Sequence, residues 1–61
     1  MANLTTKELS ALEDQLGLEG MLCCKYQAAA QSAKEVELKT LYEGYAMQHK
    51  QNYGTLLNFL K

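Results

Sequence analysis

Proline and tryptophan are absent from this chain, glycine occurs only four times, and neither sign of charge dominates. Without proline nothing forces a helix to break, and with so little glycine a long helix meets few soft points. Six basic residues against seven acidic ones give a formal net charge of -1 and a pI near 5.7. That balance offers no basic field to hold a phosphate backbone, so no nucleic-acid partner is expected. Long apolar runs are missing too. The longest, such as Met21-Leu22-Cys23-Cys24, fall far short of the roughly 20 residues that a bilayer span demands, and no membrane partner is expected. The first eight residues have no apolar stretch behind a basic one, which reads as a chain without a secretory signal, cytoplasmic as synthesised. Asn3-Leu4-Thr5 spells a glycosylation acceptor, but without secretion it reads as the lead into a helix. Cys23 and Cys24 are adjacent, and neighbouring side chains on a helix diverge by about 100°, so an intrachain disulfide is not expected.

What is present is 61 residues, 48% of them hydrophobic, rich in Ala, Leu, Glu, Gln and Lys. This composition suits one ordered, all-α domain, small enough to need a metal, a disulfide or a partner subunit for stability. The start of the first helix is marked: Thr5 and Glu8 have capping-box spacing, and Leu4 can staple onto Leu9. From there an apolar seam runs Leu9, Leu12, Leu16, Glu19, Cys23, Tyr26, Ala30, Ala33, in alternating steps of three and four. A second seam runs Leu38, Tyr42, Tyr45, His49, Asn52, Leu56, Phe59, widened by Leu41, Tyr53 and Leu60. The segment between them carries neither Gly nor Pro, so the turn is inferred from a change of register. Continuing from Ala30 and Ala33 would put Glu37 and Thr40 on the seam, whereas the second stripe begins at Leu38. The expected architecture is a two-helix antiparallel hairpin with helix one at about 5–33, a turn at about 34–36 and helix two at about 37–60. A single continuous helix is the alternative. Gly17, Gly20, Gly44 and Gly54 fall inside these helices, either for close backbone approach or as tolerated soft points.

A hairpin this thin cannot cover so broad a stripe. Two hairpins packed face to face close a four-helix bundle, and ordering the residues costs on the order of 1.5 kcal/mol each, so a homodimer is expected.

Glu19, His49 and Asn52 stand where the periodicity reserves apolar side chains. Measured from a turn near Glu35 at about 1.5 Å per residue, they lie roughly 24, 21 and 25 Å away, within one helical turn of each other. Three polar side chains from two helices therefore converge at mid-bundle, and a twofold dimer brings six together. Such a layer can specify helix register, as a buried Asn does in coiled coils, bind a metal, or move protons. Cys23 reads as a small buried hydrophobe and Cys24 as the more accessible thiol. Tyr26, Tyr42, Tyr45 and Tyr53 read as core-edge residues, with radical relay or cross-linking as the alternative. No Ser-His-Asp, Walker, Rossmann or Cys-x-x-Cys pattern is present, and no nucleophile has an orienting base beside it.

Glu19, Tyr26 seven residues on, Ala30 and Ala33, and then Leu41-Tyr42-Glu43-Gly44-Tyr45-Ala46 resemble the helical pair of rubrerythrin-type ferritin-like proteins over about two-thirds of the chain. The resemblance implies a ferritin-like four-helix bundle and puts Glu19 on the first ligand position of a di-iron centre. That family's Glu-x-x-His pair falls on His49 and Asn52, which read His-x-x-Asn and leave two carboxylates per dimer where the family has four. A nearer resemblance is to small coat-F type spore coat proteins, carried by Leu4-Thr5-Thr6-Lys7-Glu8-Leu9, Gln48-His49-Lys50-Gln51-Asn52-Tyr53 and Thr55-Leu56-Leu57. It implies a non-enzymatic structural or assembly role in sporulation, placement in the spore coat, and other coat proteins as partners, with no cofactor expected. The alternative is a metal-binding or residual redox protein in which Glu19 and His49, with Asn52 beside them, hold iron, manganese or zinc in a dimeric bundle.

Overall fold

The computed structural model describes residues 3–60. Two helices account for nearly all of it: α1 spans Thr6–Ser32 and α2 spans Val36–Leu57, and a short 3-10 turn, Asn58–Leu60, closes the chain. No strand occurs among the described residues. The helices pack antiparallel along their length into a hairpin measuring 45 × 15 × 11 Å.

The capping box is present. Thr5 Oγ1 accepts the Glu8 N–H at 3.1 Å, and Glu8 Oε1 accepts the Thr5 N–H at 2.9 Å, satisfying two of the amide groups that a helix start leaves unpaired. That second bond holds the Glu8 carboxyl below its ordinary value.

At the other end α1 stops without glycine. Ala33 (φ -69°, ψ 131°) and Glu35 (φ -85°, ψ 129°) are both extended, and the reversal occupies residues 33–35. The turn thus lies one residue earlier than the register change places it, and the single continuous helix is excluded. Glu35 makes no side-chain cap to α2, so packing between the helices, not local turn chemistry, closes the hairpin.

The α1 seam follows its periodicity from Leu12 on: Leu12, Leu16, Glu19 and Ala30 are buried and Cys23, Tyr26 and Ala33 half-buried, while its first member, Leu9, is exposed because it lies at the end of the hairpin. The α2 seam is rotated. Its one buried residue is Ala46, absent from the expected stripe, whereas Leu38, Tyr45 and Phe59 stay exposed. The line facing α1 is Tyr42, Ala46, His49 and Leu56, flanked by half-buried Asn52 on one side and by Tyr53, against Gly20, on the other, because two helices of this width meet closely only where a small side chain such as Ala30 or Ala46 leaves room.

Of the four glycines, only Gly20 has a packing partner: a methyl placed there would touch the Tyr53 ring at 3.5 Å. Gly17, Gly44 and Gly54 face open space. Replacing Gly17 or Gly44 with Ala is expected to stabilise the fold by up to about 1 kcal/mol each. That corresponds to about 4–8 °C in the thermal midpoint followed by circular dichroism. A lowered midpoint would mean that these positions pack against something beyond the hairpin.

Candidate functional site

Glu19 is the middle residue of α1 and falls on its buried face, so the helix carries a carboxylate into a place largely closed to water. Burying an ionised carboxylate is costly unless hydrogen bonds replace its hydration. Three donors supply them. Gln15, one turn earlier on α1, donates Nε2–H to Oε2 at 2.8 Å. From α2, His49 Nδ1 lies 2.6 Å from Oε1, and Asn52 donates Nδ2–H to the same oxygen at 3.3 Å. An ionised carboxylate only accepts, so Nδ1 is the protonated nitrogen in this pair.

A further bond extends the network outward, from Gln48 Nε2–H to Asn52 Oδ1 at 3.0 Å. Among the described residues no buried side-chain polar atom lacks a partner. The helix-height argument thus places Glu19, His49 and Asn52 correctly, and the structure brings all three into direct contact. Gln15 and Gln48 are the members it misses. Each stands four residues before the group it bonds, the spacing at which a helix surface pairs Gln with a carboxylate or an amide.

The imidazole is held on its other side by aromatic rings. Tyr26 lies parallel to His49, 5° between planes and 5.8 Å between centroids. The same ring meets Tyr45 edge-on at 5.2 Å and Tyr42 at 5.8 Å. A side chain fixed by a hydrogen bond in its plane and a ring across its face has little rotational freedom. Cys23 is half-buried and Cys24 exposed, in the order expected.

Opposing effects act on Glu19. The His49 hydrogen bond lowers its carboxyl most, followed by the Gln15 bond; burial pushes upward, and Asn52 and the charge of His49 add to the lowering. The balance leaves it below the ordinary value of 4.5, so the hydrogen bonds outweigh desolvation.

A di-iron centre in this kind of bundle takes two carboxylates and one imidazole from each helix pair. Here each chain offers one carboxylate and one imidazole, already bonded to each other, with an amide as the third group. Among the described residues no group of three His, Cys, Asp or Glu side chains lies close enough to hold an ion. The donor set does not fit a di-iron centre. Glu19 and His49 are bonded to each other, and among the described residues neither is hydrogen-bonded to a serine, threonine or thiol, so the arrangement is that of a part-buried hydrogen-bond layer.

Compared with models of known protein families, with curated proteins and with solved structures, the chain matches none.

The lowered carboxyl predicts an acid response. A carboxylate whose folded pKa is below its unfolded one contributes stability that is complete above about pH 4.5 and is lost as pH falls through the folded value. Glu8 contributes with the same sign. Denaturant midpoints measured from pH ~7 to ~2 should therefore fall more steeply for the wild type than for Glu19→Gln, which lacks the Glu19 contribution. Parallel curves would show that ionisation of Glu19 contributes nothing to stability.

Proposed function

We propose that this chain is a non-enzymatic structural or assembly protein whose working form is a homodimer, two hairpins associating through apolar helix faces into a ferritin-like four-helix bundle. One observation carries the reading: the hairpin leaves too much surface open. A compact protein of this mass exposes roughly 3,950 Å², whereas this chain exposes 4776 Å². The excess, about 800 Å², is the share each partner contributes to an interface of standard size. Much of it is apolar, with Leu18, Leu41, Tyr45 and Phe59 each between 42% and 49% exposed. The Glu19 layer serves this assembly by fixing helix register, since the His49 and Asn52 bonds to Glu19 form only when the two helices are aligned as they are.

The resemblance to small coat-F type spore coat proteins supports a structural role in sporulation. On that reading the chain is made in the cytoplasm, joins the spore coat and meets other coat proteins there. No described helix is long and apolar enough to cross a membrane.

Association should couple to folding. At protein concentrations stepped over two to three decades, sedimentation equilibrium is expected to give a dimer and the melting temperature to rise with concentration. A well-folded monomer with a concentration-independent midpoint would overturn the proposal.

The second reading, a metal-binding protein, draws on the 2.6 Å approach of Glu19 to His49, which a twofold dimer would duplicate. Protein purified from medium supplemented with iron, manganese and zinc decides between them by elemental mass spectrometry. The structural reading expects less than about a tenth of an ion per dimer. Near-stoichiometric metal that disappears in Glu19→Leu would replace it with the metal reading.

A further inference from the structure

The two broad sides of the hairpin differ in a way that follows from helix geometry. A step of one residue turns a side chain by about 100° around its helix. Because α1 and α2 run in opposite directions and face each other, the residue after any seam position points to one side of the hairpin in both helices. The residue before it points to the other side. The structure bears this out on the following side, where Gln27, Gln31, Glu43, Met47 and Lys50 rim a groove of about 520 Å³ over Ala30 and Ala46. That side is polar and charged apart from the exposed Met47 and Leu57.

The preceding side is apolar. It carries Leu18, Leu22 and Ala29 from α1 and Leu41 and Tyr45 from α2, with Lys25 and, at the start of α1, Glu8 as its charged residues. Its centre is occupied by three amides, Gln15, Gln48 and Asn52, the same three that tie into the Glu19 network. Glu19 is the midpoint of Thr6–Ser32, and Gln48 is the midpoint between Val36 and Leu60. The amide layer therefore sits at half-height on this side.

We propose that a second copy of the chain docks on this preceding side, and that the amides at its centre are completed by the same amides of the second copy. The inference rests on the self-association proposed above and adds to it the face and the central contact. Two arrangements with twofold symmetry stack one hairpin on another, with the axis running along the helices or across them. In both, the layer at half-height meets its own counterpart. Amides suit that position because each carries both donors and an acceptor, so an amide facing its own copy is complementary to it. Gln15 and Gln48 each commit one N–H within the chain and keep a carbonyl and a second N–H for a partner. An unrelated apolar helix laid across the same face would bury those groups unsatisfied. The surface excess of about 800 Å² per chain matches what each partner contributes to an interface of standard size.

The test compares the two sides at positions exposed in the single hairpin. Sedimentation of the wild type shows first whether the chain self-associates; a monomer there removes the underlying reading. With a dimer in hand, Gln48→Lys places like charges across the proposed centre and should raise the dimer dissociation constant about tenfold or more, while Gln27→Lys on the groove side leaves it nearly unchanged. In a background carrying Cys23→Ala and Cys24→Ala, a short bis-maleimide should link Gln48→Cys chains into covalent dimers and leave Gln27→Cys chains unlinked, a readout independent of the effect of charge on folding. Dimerisation weakened equally by both lysine variants, or cross-linking at position 27 and not at 48, would overturn the assignment of the face while leaving self-association intact.

Discussion

A carboxylate at the midpoint of a two-helix seam is the constraint on which the rest of this structure depends. Glu19 cannot be rehydrated without parting the helices, so α2 must bring donors to it at one height. Only one alignment of α2 does so. A shift by a single helical turn would carry His49 and Asn52 about 5.4 Å away and leave the carboxylate with Gln15 alone. Apolar contacts such as Leu12 and Leu16 tolerate sliding; a hydrogen bond of 2.6 Å does not. The layer thus converts a generic apolar attraction between two helices into a defined pairing.

The pairing is reinforced by the neighbours of the imidazole. Tyr26 is one residue of the α1 seam and at the same time the ring against which His49 stacks, so the aromatic cluster and the polar layer are joined through one side chain. Tyr42 and Tyr45 extend the contact toward the turn. Ala30 and Ala46, both buried, lie under the groove on the opposite side of the hairpin.

The fold is largely legible in the residues, and the reasons are local. Thr5 and Glu8 announce the start of α1 because a capping box is read within four residues. The three polar seam residues announce their own meeting, since helix rise is constant and counting from a turn gives height. The rotation of the α2 face is not legible. Leu38, Tyr45 and Phe59 are as apolar as any core residue, and which side of a broad stripe turns inward depends on how near the helices can come, a property of the pair. For the same reason Ala46 carries no signal of its own: alanine suits every face of a helix. Gln15 and Gln48 look like ordinary surface residues until the group four positions on is known to be buried or bonded.

The link at residues 33–35 holds no glycine, no proline and no residue in the left-handed region, and its Ala33, Lys34 and Glu35 are all good helix formers. Local chemistry therefore sets no barrier against straightening it. A chain opened at this point becomes one long rod whose two arms are unpaired, and a second opened chain presents the complementary arm to each. Exchange of arms rebuilds every seam contact, with Glu19 of one chain bonded to His49 of the other, at the cost of no contact except the bend itself. A closed hairpin pair and a swapped pair then share one set of internal contacts and differ only in which chain supplies each arm.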